Sequence, residues 1–320
     1  MQQTLDVHVP RPFVKWAGGK RQILPLLTDM FPKRYGTYHE PFVGGGAVLF
    51  SILSSDGAAA CRASDLNSDL ILTYVTVRDR VEDLIESLKA HDAAFRKDSK
   101  RYYYAVRAQN PRRQVERAAR LIFLNKTCFN GLYRVNSRGM FNVPMGSYTN
   151  PRIVNGDNLR AASAALQASG VDFECSDFES VLKRAESGDM VYFDPPYHPV
   201  SRAGNFTGYT KGDFTHADLK RLANVCRRLD ESGCRVMLSN SCAEEVTSLF
   251  RDEPWSVRSI TAARCINSDG RNRTGHQEVI ITNYGRHSRD AVGAAAFVAA
   301  PKRVASRRAG SGEMAPLALA

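Results

Sequence analysis

Apolar residues recur at helical spacing over residues 23–31 and stop against Pro32, which predicts a short helix. Residues 37–43 read as a strand running into Gly44-Gly45-Gly46, and residues 47–53 as the helix that follows: a strand, glycine turn, helix unit. A second strand ending in an acid is expected at 61–65, and residues 70–90 are patterned as one long amphipathic helix. Residues 115–124 are helical in period, whereas 125–148, rich in Asn, Gly and Arg, read as loop or hairpin. Short apolar runs at 171–175, 190–193, 235–238 and 278–283 are of strand type, with residues 217–229 helical among them. Strands alternating with helices predict an α/β fold with a largely parallel, doubly wound sheet, and residues 100–152 form a separate inserted module. No internal repeat is visible.

Composition narrows this picture. With 320 residues, 43% hydrophobic and 24% charged, the chain can bury a real core as one large domain or two modest ones, which excludes disorder of the whole. The formal charge is +11, and residues 100–152 carry nearly all of the excess, with eleven Lys and Arg against Glu116 alone. A basic surplus can be no more than a solvated face. Here the charges are mostly Arg, interleaved with Tyr102, Tyr103, Tyr104, Phe129, Tyr133 and Phe141, the combination that grips phosphates and stacks on bases, so nucleic acid is the favoured partner. No stretch approaches the ~20 apolar residues of a membrane helix, and residues 1–10 lack a signal pattern, so a cytoplasmic location without membrane contact is expected. Seven cysteines without CxxC spacing read as reduced core residues. Residues 287–320, with eleven Ala, five basic residues and two acids, read as a disordered tail.

Two places carry candidate chemistry. Gly44 and Gly46 bracket a turn before a helix N-terminus, where backbone can approach a ligand closely, although the run lacks the spacing of a dinucleotide site. Asp65, at the end of the next strand, stands where a doubly wound fold places an acid against ribose hydroxyls; it could equally cap the helix that follows. The stronger signal is Asp194-Pro195-Pro196-Tyr197 at the carboxyl end of a strand. A rigid turn would explain the prolines alone. It would not explain the carboxylate before them or the ring after them: together they make an acceptor cluster suited to an exocyclic amine, with Tyr197 as a stacking face.

Phe13-Val14-Lys15-Trp16-Ala17-Gly18-Gly19-Lys20, Glu40-Pro41-Phe42-Val43-Gly44-Gly45-Gly46, Ser64-Asp65-Leu66-Asn67-Ser68-Asp69-Leu70, Phe129-Asn130-Gly131-Leu132-Tyr133-Arg134, Phe141-Asn142-Val143-Pro144 and Asp194-Pro195-Pro196-Tyr197 together resemble the Dam-type (D12 class) DNA adenine-N6 methyltransferases over residues 11–285, in the family's order. The resemblance implies a Rossmann-like methyltransferase fold and S-adenosylmethionine as methyl donor. It places Trp16, Lys20, Glu40, Gly44, Gly46, Asp65 and Asp194 against that cofactor, with Asp177 and Phe178 beside its adenine ring. It also implies a mainly helical target-recognition domain at 71–152 between catalytic segments 11–70 and 153–285. Within it, Lys126, Phe129, Asn130, Leu132, Arg134, Asn136, Arg138 and Pro144 would face DNA. Phe129 stands where the family usually has Tyr, and Lys126 where Arg is common. Asn130, Leu132, Arg134 and Pro144 match enzymes that read GATC, a specificity that rests on the resemblance alone.

The expected activity is methylation of adenine N6 in double-stranded DNA, with no metal and with a flipped base held by Asp194, Pro195, Pro196 and Tyr197. A nucleoid-associated protein follows, and a cognate restriction nuclease enters only as a functional partner. Two rivals stay open: another amine methyltransferase, acting on cytosine N4, RNA adenine or protein glutamine, and a catalytically inactive DNA-binding regulator.

Overall fold

Among the described residues, seven segments pair into one sheet: β1 (Tyr38–Glu40), β2 (Cys61–Asp65), β3 (Asp172–Cys175), β4 (Met190–Phe193), β5 (Arg235–Ser241), β6 (Ser256–Ala262) and β7 (His276–Thr282). Their order is β3-β2-β1-β4-β5-β7-β6, parallel from β3 to β5, with β7 running antiparallel to both β5 and β6. The computed structural model describes residues 9–55, 60–197, 214–262 and 276–285; the tail expected at 287–320 lies outside them.

β4 shows why the sheet is covered on both faces. Its four residues are all buried; Met190 and Tyr192 join one apolar cluster, Val191 and Phe193 the other. β5 divides the same way, Met237 to the first and Val236 and Leu238 to the second. Successive side chains point to opposite faces, so an unbroken apolar run signals a strand buried twice over.

The first cluster is built with α1 (Leu24–Met30), α2 (Ala47–Leu53), α3 (Ser68–Asp79), α4 (Val81–Lys97), α5 (Ser99–Ala108), α6 (Gln114–Thr127) and α7 (Gly156–Ala168). The second lies under α8 (His216–Glu231) and the short α9 (Glu244–Thr247). No helix among the described residues is long and apolar enough to cross a membrane.

Several expectations are corrected. Residues 70–90 are not one helix: Arg80, at φ −139° and ψ 41°, separates α3 from α4. The break is supported from outside, because the Arg78 carbonyl accepts hydrogen bonds from Ser163 Oγ at 3.1 Å and from Gln167 on α7. Periodicity cannot register such a partner. Within the basic residues 100–152, Tyr103, Val106 and Phe123 belong to the same apolar cluster as Met190 and Tyr192. Not all cysteines are core residues: Cys175 is exposed on edge strand β3 and Cys242 is half-buried. α5, α7 and β6 were not legible in the pattern.

Candidate active site and nucleic-acid face

The sheet order reverses between β1 and β4, whose register pairs Tyr38 with Met190 and His39 with Val191, so their carboxyl ends open side by side. That is where an open α/β sheet binds ligands. β4 ends at Phe193, just before Asp194, and Pro195 and Pro196 cannot donate to continue the ladder. Asp194 Oδ1 lies 2.7 Å from Lys20 Nζ, and that buried ammonium also donates to the Gly18 carbonyl at 2.6 Å. Lys20 Nζ sits 4.6 Å from the centroid of the Tyr197 ring. Tyr197 in turn donates its hydroxyl to Glu278 Oε2 at 2.9 Å, from β7. Burial pushes the Asp194 carboxyl up to about 6, Lys20 pulling it down and Glu278 pushing it further up. Glu40 is buried next to this pair, accepting the Tyr38 hydroxyl at 2.8 Å, and burial raises its carboxyl to about 8, so it is neutral at pH 7.

The glycine turn is fixed by the same neighbourhood. Gly44 has φ +46°, and a Cβ there would come within 2.8 Å of Trp16 Cδ1; at Gly46, φ +70°, it would come within 2.5 Å of the Tyr74 hydroxyl oxygen. Tyr74 donates to the Gly44 carbonyl at 2.9 Å, and the Gly44 amide donates to Asp65 Oδ2 at 3.1 Å. Asp65 Oδ1 accepts from the Asn67 amide at 2.9 Å, and burial raises this carboxyl to about 6. Asp65 is not the cap of α3. Asn67 is, its side chain accepting from the Leu70 amide at 3.0 Å.

Trp16 stacks at 5.5 Å on Tyr133, linking the glycine turn to the hairpin of the basic region. Asn125 reinforces the link: its Oδ1 accepts from the Lys15 amide at 2.7 Å, and its Nδ2 donates to the carbonyls of Lys15 and Gly131 at 2.8 and 2.9 Å. Sequence reasoning missed Asn125 and Glu278, because each acts on a partner far along the chain.

Asp177 and Phe178 are used by the protein itself. Asp177 caps a 3-10 turn through the Glu179 amide at 3.0 Å and accepts from Arg221 at 3.0 Å. Phe178 is buried, stacked 5.4 Å from Phe42, with the Arg221 guanidinium 4.9 Å from its ring.

On the hairpin, residues 125–148 are tied by the bridges Cys128 to Met145 and Val135 to Phe141. Phe129 is 46% exposed, its amide bonded to the Pro144 carbonyl at 2.9 Å. Asn130 has φ +54°, the one non-glycine residue in the left-handed region among those described. Arg134 is exposed and donates from Nε to Asn142 Oδ1 at 2.8 Å. Asn136 closes the tip, its Oδ1 accepting from the amides of Arg138 and Met140, both at 3.0 Å. Arg138 and Pro144 are exposed, and Leu132 is half-buried. Lys126 is brought down to about 8 by burial, then by Lys15 and Arg152. Exposed cations, a ring and a proline on one loop are what a duplex-facing surface needs.

Residues 16–263 match the family model of the D12 class N6 adenine-specific DNA methyltransferases. Among curated proteins, the chain is 40% identical over 281 residues to the Type II methyltransferase M1.LlaDCHI of Lactococcus lactis subsp. cremoris, covering 86% of this chain and 96% of that one. It is 42% identical over 289 residues to the Type II methyltransferase M.MjaIII of Methanocaldococcus jannaschii, covering 86% and 99%. It is 33% identical over 276 residues to the DNA adenine methylase of Escherichia coli K12, covering 84% and 94%. Among solved structures, TrmN from Thermus thermophilus is 13% identical with a TM-score of 0.32, covering 82% of this chain and 47% of that one; the strand order carries the fold. The family match spans most of the chain and takes in Lys20, Glu40, Asp65, Asp194 and Tyr197: this protein belongs to the D12 class N6 adenine-specific DNA methyltransferases.

Proposed function

We propose that the protein methylates the N6 amine of an adenine rotated out of duplex DNA, within GATC, using S-adenosylmethionine. The observation that carries this reading is the assembly of Lys20, Asp194 and Tyr197 at the carboxyl end of β4, next to the glycine turn after β1. The cleft's residues fit the cofactor. Glu40, Asp65 and Asp194 are three carboxyl groups whose proton affinity burial raises, and Lys20 is paired with only one of them. Among the described residues of the cleft, the two carboxyls raised only to about 6, Asp65 and Asp194, outnumber the Lys20 ammonium, which suits a sulfonium ligand. Asp65 has the chemistry for ribose hydroxyls, and Trp16 offers an indole beside the turn.

When bound, S-adenosylmethionine supplies a methyl group on a positively charged sulfur. Lys20 keeps Asp194 ionised at neutral pH despite burial and occupies one of its oxygens. The other oxygen accepts one N–H of the adenine amine and the Pro195 carbonyl the second, which draws the amine lone pair out of conjugation and aims it at the methyl carbon. Asp194 would then stabilise the positive charge that develops on nitrogen and take up the surplus N–H proton on its way to solvent. Tyr197 stacks on the base, and residues 71–152 act as the target-recognition domain, with Arg134 forked onto guanine and Leu132 and Pro144 near thymine methyl groups.

The test is methyl transfer from labelled cofactor to methyl-free DNA, followed by nucleoside analysis and a profile across all single-base variants of GATC. Label in N6-methyladenine at GATC is expected. Label in N4-methylcytosine, in RNA or in a glutamine peptide would replace this reading with another amine methyltransferase. DNA binding without transfer would make the protein a regulator.

A further inference from the structure

Glu278 has no place in the reaction outlined above, yet it reaches the same cleft from the opposite end of the chain. It is 8% exposed on β7, a strand held on both sides by β5 and β6, and its carboxylate accepts the Tyr197 hydroxyl at 2.9 Å. Tyr197 follows two prolines on a loop and is half-buried. A tyrosine ring has a soft χ2 and needs an anchor to hold one plane. A carboxylate on a doubly paired strand is a rigid anchor, and its hydrogen bond is of the strong, charge-assisted kind.

Resting on the function proposed above, we propose that Glu278 is a positioning residue for methyl transfer: through the Tyr197 hydroxyl it fixes the ring plane beside Lys20 and Asp194, so that the flipped base stacks with its amine at the Asp194 carboxylate. The ring is constrained at two points, by the hydrogen bond at its hydroxyl and by the Lys20 ammonium 4.6 Å from its centroid. That ammonium lies 2.7 Å from Asp194 Oδ1, so Glu278, Tyr197, Lys20 and Asp194 form one chain of contacts from β7 to β4. Small errors in the placement of a reacting amine cost rate rather than binding, so the effect falls on kcat.

Glu278 also acts on Asp194 through its charge. Among the described residues, the groups facing Asp194 are Lys20 from the N-terminal segment, Glu40 from β1, Tyr192 from β4, Tyr197 from its own loop and Glu278 from β7. Lys20 favours the ionised carboxylate and Glu278 disfavours it. Removing the Glu278 charge therefore lets Asp194 ionise at lower pH.

The experiment compares wild type, Glu278→Gln, Glu278→Ala, Tyr197→Phe and the double variant Tyr197→Phe with Glu278→Ala, in kcat, cofactor KM and pH profile on GATC duplex. Glu278→Ala should lower kcat by about 10-fold or more, the loss expected for a hydrogen bond to a charged group, with cofactor KM unchanged. Glu278→Gln retains an acceptor and should recover most of the rate while moving the acid limb of the profile to lower pH. Tyr197→Phe keeps the ring but loses the hydroxyl, so Glu278→Ala should cost little more in that background. Equal cost of Glu278→Ala in both backgrounds, a Gln variant as slow as Ala, or an unmoved acid limb overturns the proposal. If Glu278→Ala does not fold, Tyr197→Phe decides alone: a wild-type rate overturns it. A wild type that methylates no adenine would bring down the function reading itself, and this proposal with it.

Discussion

The cleft and the hairpin are both made of charged and aromatic side chains, but they are held in opposite ways. In the cleft, Lys20, Asp194, Tyr197, Glu40 and Glu278 come from four separate stretches of chain and are buried or half-buried, and burial raises the carboxyls of Asp194 and Glu40. On the hairpin, Arg134 pairs with Asn142 and Asn136 with the amides of Arg138 and Met140, all within one loop and exposed. Methyl transfer needs groups fixed on a rigid sheet, whereas sequence reading needs side chains free to reach base edges. Such a division predicts that damage to the cleft is paid in rate and damage to the hairpin in selectivity.

The sharpest way to break that division is Asp194→Ala. Transfer should fall by about 10²–10³-fold, the loss seen when one preorganised electrostatic group is removed, while the hairpin's DNA affinity stays near wild type. A tenth of wild-type turnover surviving would show that another group holds the amine.

Glu40→Gln probes the cleft's electrostatics through stability. The unfolded carboxyl loses its proton near 4.5 but the folded one only near 8, so ionisation works against the fold as pH rises between those values. The wild type should lose up to about 1.4 kcal/mol per pH unit in that window, and the Gln variant should not. The variant's melting-temperature advantage should therefore widen from pH 5 to pH 8 by roughly 2–4 °C per unit. A constant difference would mean that Glu40 is ionised in the folded protein.

Hairpin substitutions should behave otherwise. Arg134→Ala is expected to relax discrimination at the first base of GATC by about 10-fold, whereas Arg138→Ala should weaken binding to every sequence alike. An equal loss on all sites in Arg134→Ala would remove it as a base reader. The smallest effect is expected at Lys126, which loses its proton as pH rises through about 8. Duplex affinity should fall about two- to threefold between pH 7 and pH 9, and Lys126→Arg, which stays charged, should abolish the fall. If the Arg variant shows the same drop, another group is titrating.

Much of this was legible beforehand. The strand at Met190–Phe193 is where its apolar run puts it, since burial on both faces of a parallel sheet leaves a continuous signature, whereas Cys61–Asp65 buries only Cys61 and Ala63. β6, at the sheet edge, carries Arg258 and several hydroxyl residues, so no such run exists there. The sequence leaves Asp65 open between a ligand contact and the cap of α3, because acids and amides both cap helices, and only the turn at Gly44 shows that Asp65 is already engaged.

By itself the sequence determined which chemistry is present and on which strand ends it stands: a carboxylate before two prolines and a ring after β4, a glycine turn after β1, an acid closing β2. These are local consequences of covalent structure and of side chains alternating across a buried strand. Only the tertiary structure decided the company those residues keep. The ammonium of Lys20 on Asp194, Glu278 behind Tyr197, Asn125 clasping Lys15 and the Arg80 break beside α7 each join segments distant in sequence. Such pairings depend on how sheet and helices pack, and packing leaves no period in the chain.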